Sequence, residues 1–232
     1  MVCKLNYLDK GTRPDISYAS HQCARHSQDP KKSHGDAIIH LAKYLKGTKT
    51  EGLLLNPNPN RSVEVHVDAD FCGNFNSNTS SEDISTSKSR TGYVISFAGC
   101  PVTWGSKLQT QIALSTTEAE YIALSQSLRE AIPIMNLVQE LQEQGFSIFS
   151  QTPRIFCTAF EDNNGALELA RTPKMRSRTK HINLVYHHFR DYVSRGLINV
   201  LPIDTSNQVA DIFTKPLDAI TFIKLREVLL GW

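Results

Sequence analysis

Val63-Glu64-Val65-His66-Val67-Asp68-Ala69-Asp70 alternates apolar and polar side chains, which puts the valines and Ala69 on one face of a strand and both aspartates on the other. Two more β-rich runs follow, Tyr93 to Phe97 and Val102 to Trp104, around a turn at Gly99-Cys100-Pro101. Three consecutive strands joined by turns predict an antiparallel start to a sheet. Between the first two, Asn74 to Arg90 is rich in Ser, Thr and Asn and reads as a long loop.

Beyond these strands the period changes. Ser115 is expected to open a helix as a capping box, with Glu118 reaching back to the cap amide, and Pro133 is expected to break that helix into segments 116–131 and 133–144. The apolar run from Arg154 to Phe160 predicts a central strand. Helices are predicted over Asn163 to Arg171 and Lys180 to Arg195, then a strand over Leu197 to Ile203. Thr205 and Gln208 should cap a last helix that holds Asp211. The predicted order is βββ, α, β, α, α, β, α.

Upstream, residues 1 to about 50 read as helical. One helix is expected from Pro14 to His26. A second is opened by Asp29-Pro30, carries Ile38, Leu41, Ala42 and Leu45 at helical spacing, and ends at Gly47. Asn56 to Arg61, with Pro57 and Pro59 among asparagines, marks a boundary between a helical segment, 1–55, and a domain, 61–232.

Composition narrows the function. With 232 residues and 40% hydrophobic side chains the chain buries a full core, and a net charge of +2 offers no overall basic field for nucleic acid. Any such footprint must be local. Five cysteines without a C-x-x-C pair argue for reduced thiols rather than a disulfide framework or zinc site. There is no apolar run of membrane-spanning length and no signal-peptide layout, so a soluble, intracellular protein is expected, with no membrane partner.

Four acids stand at places where chemistry could use them: Asp68 at the end of a strand, Glu120 in an amphipathic helix, Asp162 after another strand, and Asp211 near the end of the chain. Each also has a plain structural reading. Asp68 and Asp70 suit a solvated turn, and Asp162 suits a helix cap. Glu118 serves the capping box. Glu120, beside Ala119, Ile122 and Ala123, would be costly to bury without a partner, and Asp211 lies among Val209, Ala210, Ile212 and Phe213. Brought together, such carboxylates make an oxygen-rich pocket for two divalent ions, the arrangement that hydrolyses phosphodiesters. A local basic run is also present, Arg171, Lys174, Arg176, Arg178 and Lys180, with no acid among them. It reads either as a phosphate-gripping loop, which Lys88, Arg90 and Lys107 could extend, or as a solvated one. His181, His187 and His188 read as surface or hydrogen-bonded histidines rather than zinc ligands.

The ordered blocks VDADFCGN, KSRTGYVISFAGCPVTWGSKLQT, ALSTTEAEYIALSQSLREA, EDNNGALELA, RSRTKHINLVYHHFRD and NQVADIFTKPL closely resemble the ribonuclease H domain of copia-type (Pseudoviridae) retrotransposon Pol polyproteins. Residues 1–55, with RPDISYA and HLAKYLKGT, resemble the thumb or connection end of the preceding reverse transcriptase, without its Y-x-D-D signature. The resemblance implies an α/β, ribonuclease H-like fold: a five-stranded mixed sheet flanked by helices. It implies that Asp68, Glu120, Asp162 and Asp211 bind two Mg²⁺ or Mn²⁺ ions and hydrolyse the RNA strand of an RNA–DNA hybrid during reverse transcription. The partners implied are the hybrid and the reverse transcriptase portion of the same polyprotein, in a cytoplasmic virus-like particle or the nucleus. Glu161 departs from the pattern, since many relatives have cysteine there, and the Pro202 to Gln208 segment lacks the histidine that many ribonucleases H carry before the last aspartate. Two alternatives stand beside this reading: an inactive fragment that keeps the fold and binds nucleic acid, and a different nuclease on the same fold.

Overall fold

The computed structural model describes residues 1–77, 83–149, 156–172 and 184–232. Strand β1 (Val63–Asp70) sits in the middle of a five-stranded sheet of order β3-β2-β1-β4-β5. It runs antiparallel to β2 (Arg90–Phe97), which pairs antiparallel with β3 (Cys100–Leu108). On its other side it runs parallel to β4 (Cys157–Glu161), which pairs parallel with β5 (Ile198–Pro202). The three antiparallel strands lie where the alternation placed them. The apolar strand β4 is interior, but the central place belongs to β1. This mixed five-stranded sheet flanked by helices is the ribonuclease H-like fold.

The alternation of β1 decides the layers. Val63, Val65 and Val67 are fully buried against helix α4 (Thr116–Glu143), whose Ala119, Ile122, Ala123 and Leu128 fill the same core. Burying a Val or Leu side chain of this kind stabilises the fold by roughly 1.5–3 kcal/mol each. Helix α5 (Asn164–Arg171) and Phe189, just ahead of the short helix α6 (Arg190–Ser194), close that layer. The opposite face holds a second core, in which Val94 and Trp104 meet Ala210, Phe213, Leu229 and Leu230. Helix α7 (Ala219–Leu230), which the periodicity reading passed over, belongs there; Asp218 caps its start and Gly231, at φ 89°, ends it.

Several expectations change. Helix α4 runs unbroken through Pro133, because Leu128, Ala131, Met135 and Val138 are all buried on one stripe and hold the helix across the lost hydrogen bond. Its entry differs slightly too: Ser115 Oγ accepts from the Glu118 amide at 3.1 Å, but Glu118 accepts from the Leu114 amide, one residue before the cap. The last predicted helix is a 3₁₀ turn, Val209–Phe213, with Gln208 accepting from the Ala210 amide. Lys180 to Arg195 is not one helix: among its described residues a 3₁₀ turn at Leu184–His187 precedes α6.

The N-terminal segment forms α1 (Val2–Gly11), α2 (Ser17–Arg25) and α3 (Lys32–Gly47). The α3 cap is Lys31 rather than Asp29, and Gly47 is the helix's last residue. These helices pack on the sheet. Arg90, at the start of β2, is 1% exposed and donates to Gln22 Oε1 at 2.9 Å and Ser106 Oγ at 3.0 Å, while its Nη1 lies 2.8 Å from His21 Nδ1. Arg90 is therefore a buried tie between layers and not part of a basic surface. Trp104 Nε1 donates to the Asp9 carbonyl at 2.8 Å, and Trp232 Nε1 to that of Gly52 at 2.8 Å. Among the described residues no helix is long and apolar enough to cross a membrane. All five cysteines are free.

Candidate active site

Four elements bring their acids to the carboxyl end of β1. Asp68 lies opposite Gly92 of β2. A Cβ on Gly92 would come within 2.5 Å of Thr214 Cγ2 and 2.7 Å of Phe213 Cβ, so the glycine is what lets the 209–213 turn press against the strand. That turn carries Asp211, and Thr214 just after it donates its hydroxyl to Asp68 Oδ2. Asp162 follows β4 directly. The cap of α5 is its neighbour Asn163, which accepts from the Ala166 amide at 3.0 Å, so Asp162 is released from capping. Gly165 allows the start of α5 to approach α4, since a Cβ there would lie 2.6 Å from Thr117 Oγ1. Glu120, one turn into α4, is carried toward the same place.

The result is a cluster: a carboxylate oxygen from each of Asp68, Glu120 and Asp162 lies within 4.8 Å of the others. Asp162 Oδ2 also accepts from Thr205 Oγ1 at 2.8 Å, so Thr205 orients this acid instead of capping a helix. Asp211 joins through Lys215, whose ammonium is 2.9 Å from Asp211 Oδ1 and 3.7 Å from Asp68 Oδ2. Glu161 faces the group from the end of β4, fully buried, with Oε1 accepting from the Asn163 amide at 3.0 Å and Oε2 without a hydrogen-bond partner.

Crowding of acids in a buried place has a clear electrostatic signature. Burial pushes Asp68 up to about 7, with Asp211 and Asp162 adding to the rise and Lys215 and Thr214 opposing it. Burial also pushes Glu161 up to about 8, the Asn163 amide pulling the other way. Glu120 is held well above the usual carboxylate range by burial and by Glu161, Asp68 and Asp162, and Asp211 is raised mainly by burial. For Lys215, burial favours the neutral amine, but Asp68 and Asp211 outweigh it and hold the ammonium. Burial is the larger cause and mutual repulsion adds to it, so a bound cation would favour the ionised form of each acid.

The residues present fit a divalent ion. The donors are all hard oxygens, which suit magnesium or manganese, and the buried Oε2 atoms of Glu120 and Glu161 lack hydrogen-bond partners. All four acids expected to act together are near the end of β1. Thr214, Lys215 and Gly92 escaped the sequence reading; Lys215 stands four residues after Asp211 and was legible there as a nearby charge.

Other expected site residues fall elsewhere. Lys174, Arg176, Arg178, Lys180 and His181 lie outside the described residues. Arg171 is described: its Nε donates to the Val200 carbonyl at 2.8 Å, tying the end of α5 to β5. Tyr121 Oη is 2.6 Å from His187 Nδ1, a hydrogen-bonded histidine as expected.

Fold and site together define a ribonuclease H-like domain with an acidic, metal-fitting centre. No family model matches the chain. It is 35% identical over 222 residues to the retrovirus-related Pol polyprotein from transposon RE2 of Arabidopsis thaliana, covering 96% of this chain and 14% of that one. It is 35% identical over 214 residues to the Pol polyprotein from transposon TNT 1-94 of Nicotiana tabacum, covering 92% and 15%. Among solved structures, the N-terminal RNase H domain of a Mycobacterium tuberculosis protein, fused to maltose binding protein, aligns loosely. Its TM-score is 0.43 at 13% identity, over 72% of this chain and 96% of that one. Its homologues are thus copia-type Pol polyproteins from transposons, and the chain spans about one seventh of the length of the relatives it matches.

Proposed function

We propose that this chain is an endoribonuclease that cuts the RNA strand of RNA–DNA hybrids during reverse transcription. The observation that carries the reading is the convergence of Asp68, Glu120 and Asp162 oxygens within 4.8 Å, with Asp211 held against Asp68. In this reading residues 61–232 are the nuclease domain and residues 1–55 the end of a reverse transcriptase, which is its partner in a cytoplasmic particle or the nucleus.

Asp68, Glu120, Asp162 and Asp211 would hold two Mg²⁺ or Mn²⁺ ions. Bound there, the ions would supply an activated water and stabilise the departing 3′ oxygen. The protein's own part is positional. Thr214 fixes Asp68 and Thr205 fixes Asp162, so both acids are oriented before substrate arrives. Arg171, Lys174, Arg176, Arg178 and Lys180 would grip backbone phosphates, Arg171 from the end of α5, where it donates to the Val200 carbonyl. Discrimination of strands would rest on the ribose 2′ hydroxyl and groove shape, so sequence preference is weak.

The test is a substrate panel in magnesium: hybrid, double-stranded RNA and single-stranded DNA of the same sequence. Cleavage confined to the RNA of the hybrid is expected. Hybrid binding without cleavage in either metal would favour an inactive fragment, and preference for single-stranded DNA would favour another nuclease of this fold.

A further inference from the structure

Lys215 is a cation in contact with two of the four acids. Its ammonium lies 2.9 Å from Asp211 Oδ1 and 3.7 Å from Asp68 Oδ2. Both contacts follow from the backbone: the Lys215 amide donates to the Asp211 carbonyl at 3.3 Å, closing one turn that returns the side chain over Asp211. Thr214, one residue earlier, holds Asp68 Oδ2 with its hydroxyl. Two consecutive residues thus address the two acids that lie on the 209–213 side of the cluster. The other side is different. The oxygens of Asp68, Glu120 and Asp162 come within 4.8 Å of one another, and Glu120 Oε2 is buried without a hydrogen-bond partner.

The site therefore has two halves of unequal readiness. One half is three converging carboxylates. The other, Asp211 with Asp68 Oδ2, already has a positive charge upon it. An ammonium and a divalent ion held on the same carboxylate repel each other at short range, so each weakens the other's hold on it. The lysine also has somewhere to go: its side chain is 36% exposed, so it can leave toward solvent without opening the core.

We propose that the Lys215 ammonium is a built-in cation that competes with divalent metal for Asp211 and Asp68, so that the site loads in order. The first ion binds Asp68, Glu120 and Asp162 with Lys215 in place. The second binds at Asp211 only as Lys215 swings out. The lysine thereby keeps the acids compatible with one another at low metal concentration, and it makes the second ion the weaker one. This inference rests on the metal-binding reading above and deepens it.

The experiment is a Mn²⁺ titration of the whole chain by isothermal calorimetry, with free Mn²⁺ followed in parallel by electron paramagnetic resonance. Wild type should show one tight and one weaker ion. Lys215→Met should tighten the weaker ion by about tenfold or more, leaving the tight one little changed. Lys215→Arg, which keeps the charge, should follow wild type. Equal second-ion affinity in wild type and Lys215→Met, or weaker binding in the variant, overturns the proposal while leaving the metal site standing. Absence of any bound ion in wild type overturns both readings. A second measurement needs no uncharged variant. The lysine ammonium resonances of ¹⁵N-labelled wild type are recorded with and without Mg²⁺, with Lys215→Arg identifying its signal. The Lys215 signal should be slow to exchange without Mg²⁺ and lost or shifted at saturation; a signal indifferent to Mg²⁺ contradicts the proposal.

Discussion

Glu161 puts an electrostatic burden on the fold, being fully buried with one oxygen unpartnered beside Glu120 and Asp162. Its carboxyl titrates near 8 in the folded protein against 4.5 in the unfolded chain. The folded state therefore holds this proton more tightly, and the sign follows: the contribution to stability is complete below about 4.5 and lost as pH rises to about 8. Glu161→Gln removes that loss while keeping an oxygen for the Asn163 amide. In chelator the variant should melt at the same temperature as wild type near pH 4.5 and higher at pH 8. The expected rise is at least about 2–4 °C, the equivalent of roughly 1 kcal/mol in a chain of this size. Thermal melts at several pH values check it, and an unchanged difference across that range would deny Glu161 its raised pKa.

Among the elements, α4 is the one whose local and global demands conflict. Pro133 removes a backbone donor inside a 28-residue helix, yet its side chain is exposed and the stripe from Leu128 to Val138 stays buried on both sides of it. Tertiary packing wins. Pro133→Ala should restore the missing bond and stabilise the chain by about 1 kcal/mol or more, with ~3 kcal/mol as a ceiling; urea unfolding measures it. Much of the sheet was legible because β1 alternates strictly and β2 and β3 are separated by a glycine turn. Glu120 and Asp211 stand out in the sequence as candidates because each puts a charge on an apolar stripe. What was not legible is set by distant packing. Continuity through Pro133 depends on the strands beneath it, and the 3₁₀ form of Val209–Phe213 depends on Gly92, over a hundred residues earlier, leaving no Cβ in its way. In sequence Asp162 reads equally as ligand or cap, and in the structure Asn163 is the cap.

At the scale of the molecule, the N-terminal helices and the sheet share buried polar ties, above all the Arg90 guanidinium between Gln22, His21 and Ser106. His21 is held down at about 4, by burial first and then by Arg90, so it stays a neutral partner. Gln22→Leu should leave Arg90 short of an acceptor while still covered, at a cost of about 1–3 kcal/mol. Circular dichroism and tryptophan fluorescence should then report one shared transition at a lower temperature, as one cooperative unit requires. Separate transitions would mean that residues 1–55 are only tethered to the sheet. In the proposed mechanism Asp68, Glu120, Asp162 and Asp211 act on one pair of ions. Its most direct test is Mg²⁺-dependent cleavage of end-labelled RNA in a hybrid by wild type and by Asp68→Asn, Glu120→Gln, Asp162→Asn and Asp211→Asn, each first shown to be folded. Wild type should cut, and each variant should lose more than the ~10–100-fold typical of changes just outside a metal's ligands. Undiminished cutting by any one of the four would contradict the account.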